Sequence, residues 1–174
     1  MIYHTADPFK GTVLGKAGSR RRRGFAYERE LARELWNRGF ACIRAPASGA
    51  KVRRRAQPDL VAMKNGVILV FEVKTRRKEG HVYIDAGQVE KLLEFARRAG
   101  GVAFIAVKIL DGRGWRFVPA ERLSRTRGGS FKVGLEEVER GLRLRDLEVL
   151  VSGAYRSLDE YIGGGEARRS PEDR

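Results

Sequence analysis

Asp59, Glu72 and Lys74 are the residues whose types and spacing could do chemistry. Glu72 and Lys74 end a strand that is otherwise apolar, Val67-Ile68-Leu69-Val70-Phe71. Residues i and i+2 of a strand share a face, so a carboxylate and an ammonium project side by side. Asp59 opens the preceding strand, and Asn65-Gly66 between the two reads as a two-residue type I′ hairpin turn. That turn sets Lys64 opposite Val67, and the same register carries Asp59 to within about one residue of Glu72. Two carboxylates this close repel unless a cation lies between them. With oxygen ligands only, the fitting cation is Mg2+, which keeps waters and reaches substrate phosphate. It polarises a phosphoryl oxygen and acidifies a bound water. Lys74 would position that water or neutralise charge in the transition state. The chemistry is phosphodiester hydrolysis. The plain alternative is a cross-strand acid pair softened by Lys74 on a solvated sheet end. The apolar run up to Phe71 weighs against it.

The elements that must position these groups follow from hydrophobic periodicity. A first helix is expected from Gly24 to Gly39, with an inward stripe of Phe25, Glu28, Ala32 and Leu35, and Leu31 and Trp36 beside it. Glu28 lies on that apolar stripe, where a glutamate needs a cation or a donor. It is a third ligand for the same metal, a buried partner of Arg29 or Arg33, or a residue at the stripe's edge. Phe40 to Ala45 reads as a short strand ending near Arg44. Ser48-Gly49 then offers a hydroxyl and backbone amides, and with Arg44 these could hold a phosphate. A plain turn with a solvated arginine is the alternative. Strands follow at Asp59–Lys64 and Val67–Lys74, the second central and covered on both faces. Thr75 to Gly80 reads as a loop. Asp85 is placed to cap a second helix, with Gln88 in the capping-box position. That helix carries Val89, Leu92, Leu93, Phe95 and Ala96 and closes at Gly100-Gly101. Strands at Val102–Leu110 and Trp115–Val118, a helical turn near Glu121, a strand at Phe131–Val133 and a helix from Leu144 to Tyr161 complete the chain. The order gives an α/β fold: a central mixed β-sheet flanked by helices.

Composition adds a partner. Lys and Arg number 36 against 22 Asp and Glu, a formal net charge of +14, with a pI near 10.6. A field of that sign favours polyanions, above all nucleic acid. A heat-adapted surface would explain many charges, but not the one-sided excess. Three basic runs, Arg20–Arg23, Lys51–Arg55 and Arg76–Lys78, adjoin the elements bearing Glu28, Asp59 and Glu72. Singly each reads as a solvated loop; together they suggest a charged groove in which Arg29, Arg44, Ser48, Lys51, Arg53, Arg54, Arg55, Arg76 and Arg77 contact DNA. One cysteine, Cys42, and two distant histidines, His4 and His81, argue against a disulfide, a multi-cysteine zinc site and a Ser-His-Asp hydrolase. No membrane span or signal peptide is read, so a cytoplasmic protein is expected. Residues 1–23 read as a basic mobile arm, 24–162 as a nuclease domain and 163–174 as a disordered tail.

Pro58-Asp59 with Glu72-Val73-Lys74 resembles the signature of restriction-endonuclease-like nucleases. A longer set of segments is similar to the archaeal Holliday junction resolvases: Gly24 to Leu31, Arg44 to Gly49, Pro58 to Ala62, Glu72 to Lys74, Leu93 to Gly101 and Trp115 to Phe117. The resemblance runs in order from about Gly24 to Ile162, and the longer arm, the loop from Gly49 to Gln57 and the tail depart from it. It implies a restriction-endonuclease-like fold and a role in homologous recombination and repair. It implies that Glu28, Asp59 and Glu72 hold Mg2+ (or Mn2+) with the Val73 carbonyl. Lys74 would act in hydrolysis, and Arg44 and Ser48 near the scissile phosphate. It also implies a homodimer cutting two strands of a four-way DNA junction, with Leu92 and Phe95 on the dimer face; packing on the sheet is the alternative for them. Leu158 to Ile162 would dock a sliding clamp or simply pack on the core, the latter favoured. Another nuclease of the same fold and a non-catalytic basic nucleic-acid-binding protein remain the competing readings.

Overall fold

The structure, a computed structural model, describes residues 20–44, 57–76, 81–110 and 112–163, with side chains from 24 to 153 within those ranges. The expected arm up to residue 19, Ser48, Lys51, Arg53, Arg54, Arg55, Arg77, the tail from 164 and the side chains of the clamp-docking stretch lie outside them.

Helix α1 (Arg20–Trp36) starts four residues earlier than the stripe predicts, so the arginine run opens the helix. Strand β1 (Ala41–Arg44) pairs antiparallel with β2 (Leu60–Lys64), which pairs antiparallel with β3 (Val67–Arg76). Asn65 at φ 51 and Gly66 at φ 74 are both left-handed, as a type I′ turn requires. The ladder runs from Lys64↔Val67 to Leu60↔Phe71. The next position therefore sets Asp59 opposite Glu72, as the sequence predicts. β3 continues two residues beyond the expected end at Lys74, because it pairs in parallel with β5 (Val102–Ile109) as far as Arg76↔Ile109. Between them lie β4 (Val82–Ile84) and α2 (Ala86–Ala99). β6 (Gly114–Pro119) completes a sheet of order β1-β2-β3-β5-β6. A single 3-10 turn at Ala120–Arg122 leads to β7 (Ser124–Arg125) and β8 (Phe131–Val133), which form a small second sheet of order β4-β8-β7. Helices α3 (Leu135–Glu139) and α4 (Leu144–Gly163) follow. β4, β7 and α3 are not anticipated from sequence; at two to five residues each, they are too short to show a period.

At β3 the sheet is covered on both sides, which explains why this strand reads as continuous apolar sequence. On one side Leu31, Ala32 and Leu35 of α1 and Leu147 and Val151 of α4 pack on Leu60, Leu69 and Phe71. On the other, Val89, Leu92 and Ala96 of α2 pack on Val70, Ile105 and Val107. Gly101 lets β5 approach β3: a Cβ there would lie 2.5 Å from the Ile68 carbonyl oxygen. The Phe71 ring meets Phe104 and Phe117 at centroid distances of 5.9 and 5.5 Å. The residue before Glu72 is thus fixed by core packing, and Glu72 emerges from a rigid point.

Candidate active site

Three carboxylates reach one end of the sheet from three elements. Glu28 comes from α1, Asp59 from the residue before β2, and Glu72 from β3. Glu28 is 8% exposed and Glu72 6%, among the few buried charged residues. Each has one oxygen held by a protein donor. Arg44 Nη2 donates to Glu28 Oε2 at 3.2 Å. The Val73 amide donates to Asp59 Oδ2 at 2.8 Å. Lys74 Nζ donates to Glu72 Oε1 at 2.7 Å, and Gln88 Nε2 donates to the same oxygen at 2.9 Å. Among the described residues, Glu28 Oε1, Asp59 Oδ1 and Glu72 Oε2 have no hydrogen-bond partner.

The electrostatics follow from burial and crowding. Desolvation raises the pKa of Glu28, and the Asp59 charge raises it further, against Arg44 and Arg29. Desolvation also raises Asp59, against the Val73 hydrogen bond and the charges of Lys74 and Arg44. Glu72 is raised by desolvation and by Asp59, lowered by Lys74, and raised again by Glu28. So the three acids oppose one another's ionisation, and Arg44 and Lys74 relieve this only in part. A divalent cation would relieve it more fully.

The donor set suits a hard cation: spare carboxylate oxygens and no sulfur or imidazole. Among the described residues, no three His, Cys, Asp or Glu side chains stand as a ready-made cage. Mg2+ does not need one, since it binds through one or two carboxylates and keeps its waters for phosphate to replace.

The structure brings Glu28, Asp59, Glu72, Lys74 and Arg44 together and settles the partner of Glu28. That partner is Arg44, sixteen residues away, rather than Arg29 or Arg33. Arg29 is exposed beside Glu28. Two expectations are corrected. Arg76 is only 5% exposed, with Nη1 and Nη2 unpartnered among the described residues, because β3 runs on to include it. It is no open-surface phosphate contact in this conformation. Leu92 is 2% exposed and belongs to the core between α2 and the sheet, so it offers no surface to a partner. Phe95 is half-buried against the same core.

Gln88 was legible only as a capping residue, yet Asp85 makes no side-chain cap bond. The Gln88 side chain instead enters the site, where its Oε1 also accepts from Lys74 Nζ at 3.2 Å. The signal that could have found it is an amide in the first turn of the helix that follows an acid–lysine strand end.

Comparison with known proteins places the chain in a family. Residues 19–153 match the family model for archaeal Holliday junction resolvase (Hjc). The crossover junction endodeoxyribonuclease Hjc of Sulfurisphaera tokodaii is 42% identical over 145 residues, covering 83% of this chain and 99% of that protein. Its counterpart from Methanocaldococcus jannaschii is 33% identical over 141 residues, 81% of this chain and 96% of its own. The crystallised Holliday junction resolvase Hjc of Archaeoglobus fulgidus superposes with a TM-score of 0.62 at 37% identity, covering 72% of this chain and 95% of that one. By matched length and identity together, the chain belongs to the archaeal Holliday junction resolvase family.

Proposed function

We propose that this protein is a crossover junction endodeoxyribonuclease that resolves four-way DNA junctions by Mg2+-dependent phosphodiester hydrolysis, with Mn2+ as a substitute. One observation carries the mechanism: three carboxylates, Glu28 and Glu72 buried and Asp59 partly buried, meet beside Lys74, each with one oxygen tethered and, among the described residues, one spare. Asp59, Glu72 and Glu28 would hold the cation through those spare oxygens, with the Val73 carbonyl. When bound, the metal supplies charge for the phosphoryl oxygens and an acidified water. Lys74 would present its ammonium where charge builds on the phosphorus oxygens. Arg44, at 21% side-chain exposure, stands at the rim and would pair with a phosphate next to the cut. Arg29, Ser48 and the basic residues Lys51, Arg53, Arg54, Arg55 and Arg77 would add further contacts to the DNA. Recognition is by shape and phosphate.

A two-fold junction needs two paired cuts, and a two-fold dimer supplies both. The surface that suits a second copy is the sheet face beyond the edge of α2. Leu60 and Ala62 of β2 point to the α1 side. Val61 and Met63 therefore point to the α2 side, beside Ile43 of β1, which is 61% exposed. Ile68 and Phe95 border this strip. It replaces Leu92 as the apolar dimer face.

Purified protein with a mobile four-way junction tests the function. Paired symmetric nicks with Mg2+, abolished by EDTA, are expected. Equal cutting of plain duplex or flaps would indicate another nuclease specificity, and binding without cleavage would sink the catalytic reading.

A further inference from the structure

We propose that Gln88 is a positioning residue of the cleavage centre, whose amide bridges Glu72 Oε1 and Lys74 Nζ and so keeps Glu72 Oε2 open for the cation. The proposal rests on the metal-nuclease reading above. Gln88 is an exposed residue in the first turn of α2. Such a side chain normally stays in water, because ordering it costs rotamer freedom. Here it makes two contacts to the two residues that end the apolar run of β3, at 2.9 and 3.2 Å. Their directions are complementary. Nε2 donates to the carboxylate and Oε1 accepts from the ammonium. An amide does both at once without adding charge; a carboxylate cannot donate and an ammonium cannot accept.

The bridge has a consequence for the pair it joins. Lys74 and Gln88 both sit on Oε1 of Glu72, and neither touches Oε2. Without the amide, the Lys74 ammonium has no second anchor among the described residues and is free to slide between both carboxylate oxygens. It would then compete with the cation and leave the place where it meets the phosphate. Groups that orient a metal ligand in this way commonly govern affinity and rate together. The bridge also ties α2, through its buried Val89 and Leu92, to the reaction centre.

Gln88→Met in the full-length protein keeps the side-chain length and removes both hydrogen bonds. Calorimetry with Ca2+ alone should show cation affinity about ten-fold weaker than wild type. Cleavage kcat at saturating Mg2+ should fall by about ten- to a hundred-fold, because Lys74 is misplaced even when metal is bound. KM, junction affinity in EDTA and melting temperature should stay near wild type. Wild-type-like Ca2+ affinity and kcat in the variant would overturn the Gln88 proposal alone. Loss of cleavage only in step with a fall in melting temperature would also overturn it, since that is a structural role. Failure of the wild type to bind any divalent cation would overturn the underlying metal-nuclease reading as well.

Discussion

The backbone amide of Val73 donates a 2.8 Å hydrogen bond to Asp59 Oδ2, so Asp59 is held by the residue that separates Glu72 from Lys74. Asp59 lies one position beyond the β2–β3 ladder, where no strand partner remains to fix it. The side chain closes the hairpin end that the backbone leaves open. Hairpin register and the geometry of the acid pair are therefore one feature: a one-residue slip would break this bond and part the two acids.

Asp59→Asn tests that relationship. The asparagine carbonyl oxygen can still accept from Val73, while the charge that opposes ionisation of Glu28 and Glu72 is gone. Mg2+-dependent junction cleavage should fall by about a thousand-fold or more, the scale of losing a preorganised charge interaction. Junction binding should change little. In EDTA the melting temperature should rise by about a few degrees, because a buried repulsion is removed. Single-turnover cleavage, gel shift and thermal melts read these three effects. Cutting at near-normal rate would sink the site assignment.

The raised carboxylates predict an unusual pH response in the metal-free protein. Burial first, then mutual repulsion, raises Glu72 above the ordinary 4.5. Burial and Asp59 do the same for Glu28, and burial raises Asp59 above 3.8. The folded state thus binds these protons more tightly than the unfolded chain. Their contribution to stability grows as pH falls toward the ordinary carboxylate range, and is lost as pH rises through the folded values. Mg2+ requires the ionised forms, so it should stabilise strongly at about pH 7.5 and weakly at about pH 5. The remaining charges of the chain titrate in every variant, so the informative quantity is the slope relative to Asp59→Asn. Wild type in EDTA should lose more stability than the variant between those two pH values. Equal slopes would mean that the acids are not coupled.

Much of this was readable from residues alone because local rules and global packing agree. Asn65-Gly66 fixed the turn type, the turn fixed the register, and the register brought Asp59 to Glu72. The glutamate on an apolar helical stripe correctly marked Glu28 as needing a partner. The identity of that partner was not readable, because Arg44 meets Glu28 only through the packing of α1 on β1 and the pairing of β1 with β2. Gln88 was hidden by a rule that usually holds, the capping box, which loses here to two charged neighbours across the sheet. Arg76 and Leu92 failed for a shared reason. Sequence gives a residue's type, but the length of β3 and the lie of α2 decide its exposure.

Arg44 is the cation that makes a buried Glu28 tolerable without metal. Arg44→Gln should lower stability in EDTA by about 1–2 kcal/mol, less than for a fully buried pair because both side chains keep some contact with water. Mg2+ should restore most of the loss, since the cation takes over the charge of Glu28. Junction binding should weaken as well, and Arg44→Lys should recover only part of it, because an ammonium lacks the bidentate fork. Chemical denaturation with and without Mg2+, followed by a gel shift, separates the two roles. A variant as stable as wild type in EDTA would show that the 3.2 Å ion pair carries no weight.

Ile43→Lys addresses the proposed dimer. Ile43 is 61% exposed on edge strand β1, one residue before Arg44 and paired with Val61. Because it touches little of its own chain's core, the substitution should change monomer stability by no more than about 0.5 kcal/mol. A lysine placed in an apolar interface should nevertheless weaken self-association by about ten-fold or more. Sedimentation velocity across a concentration series measures that shift. The functional consequence is separable from chemistry: each monomer keeps its own Glu28, Asp59, Glu72 and Lys74, so single nicks should persist while paired, symmetric cuts become rare. A cruciform plasmid distinguishes them, since coupled cuts linearise it directly and uncoupled cuts leave a nicked circle. An Ile43→Lys protein that still sediments as a dimer and still linearises the plasmid in one step would move the two-fold contact away from this sheet face.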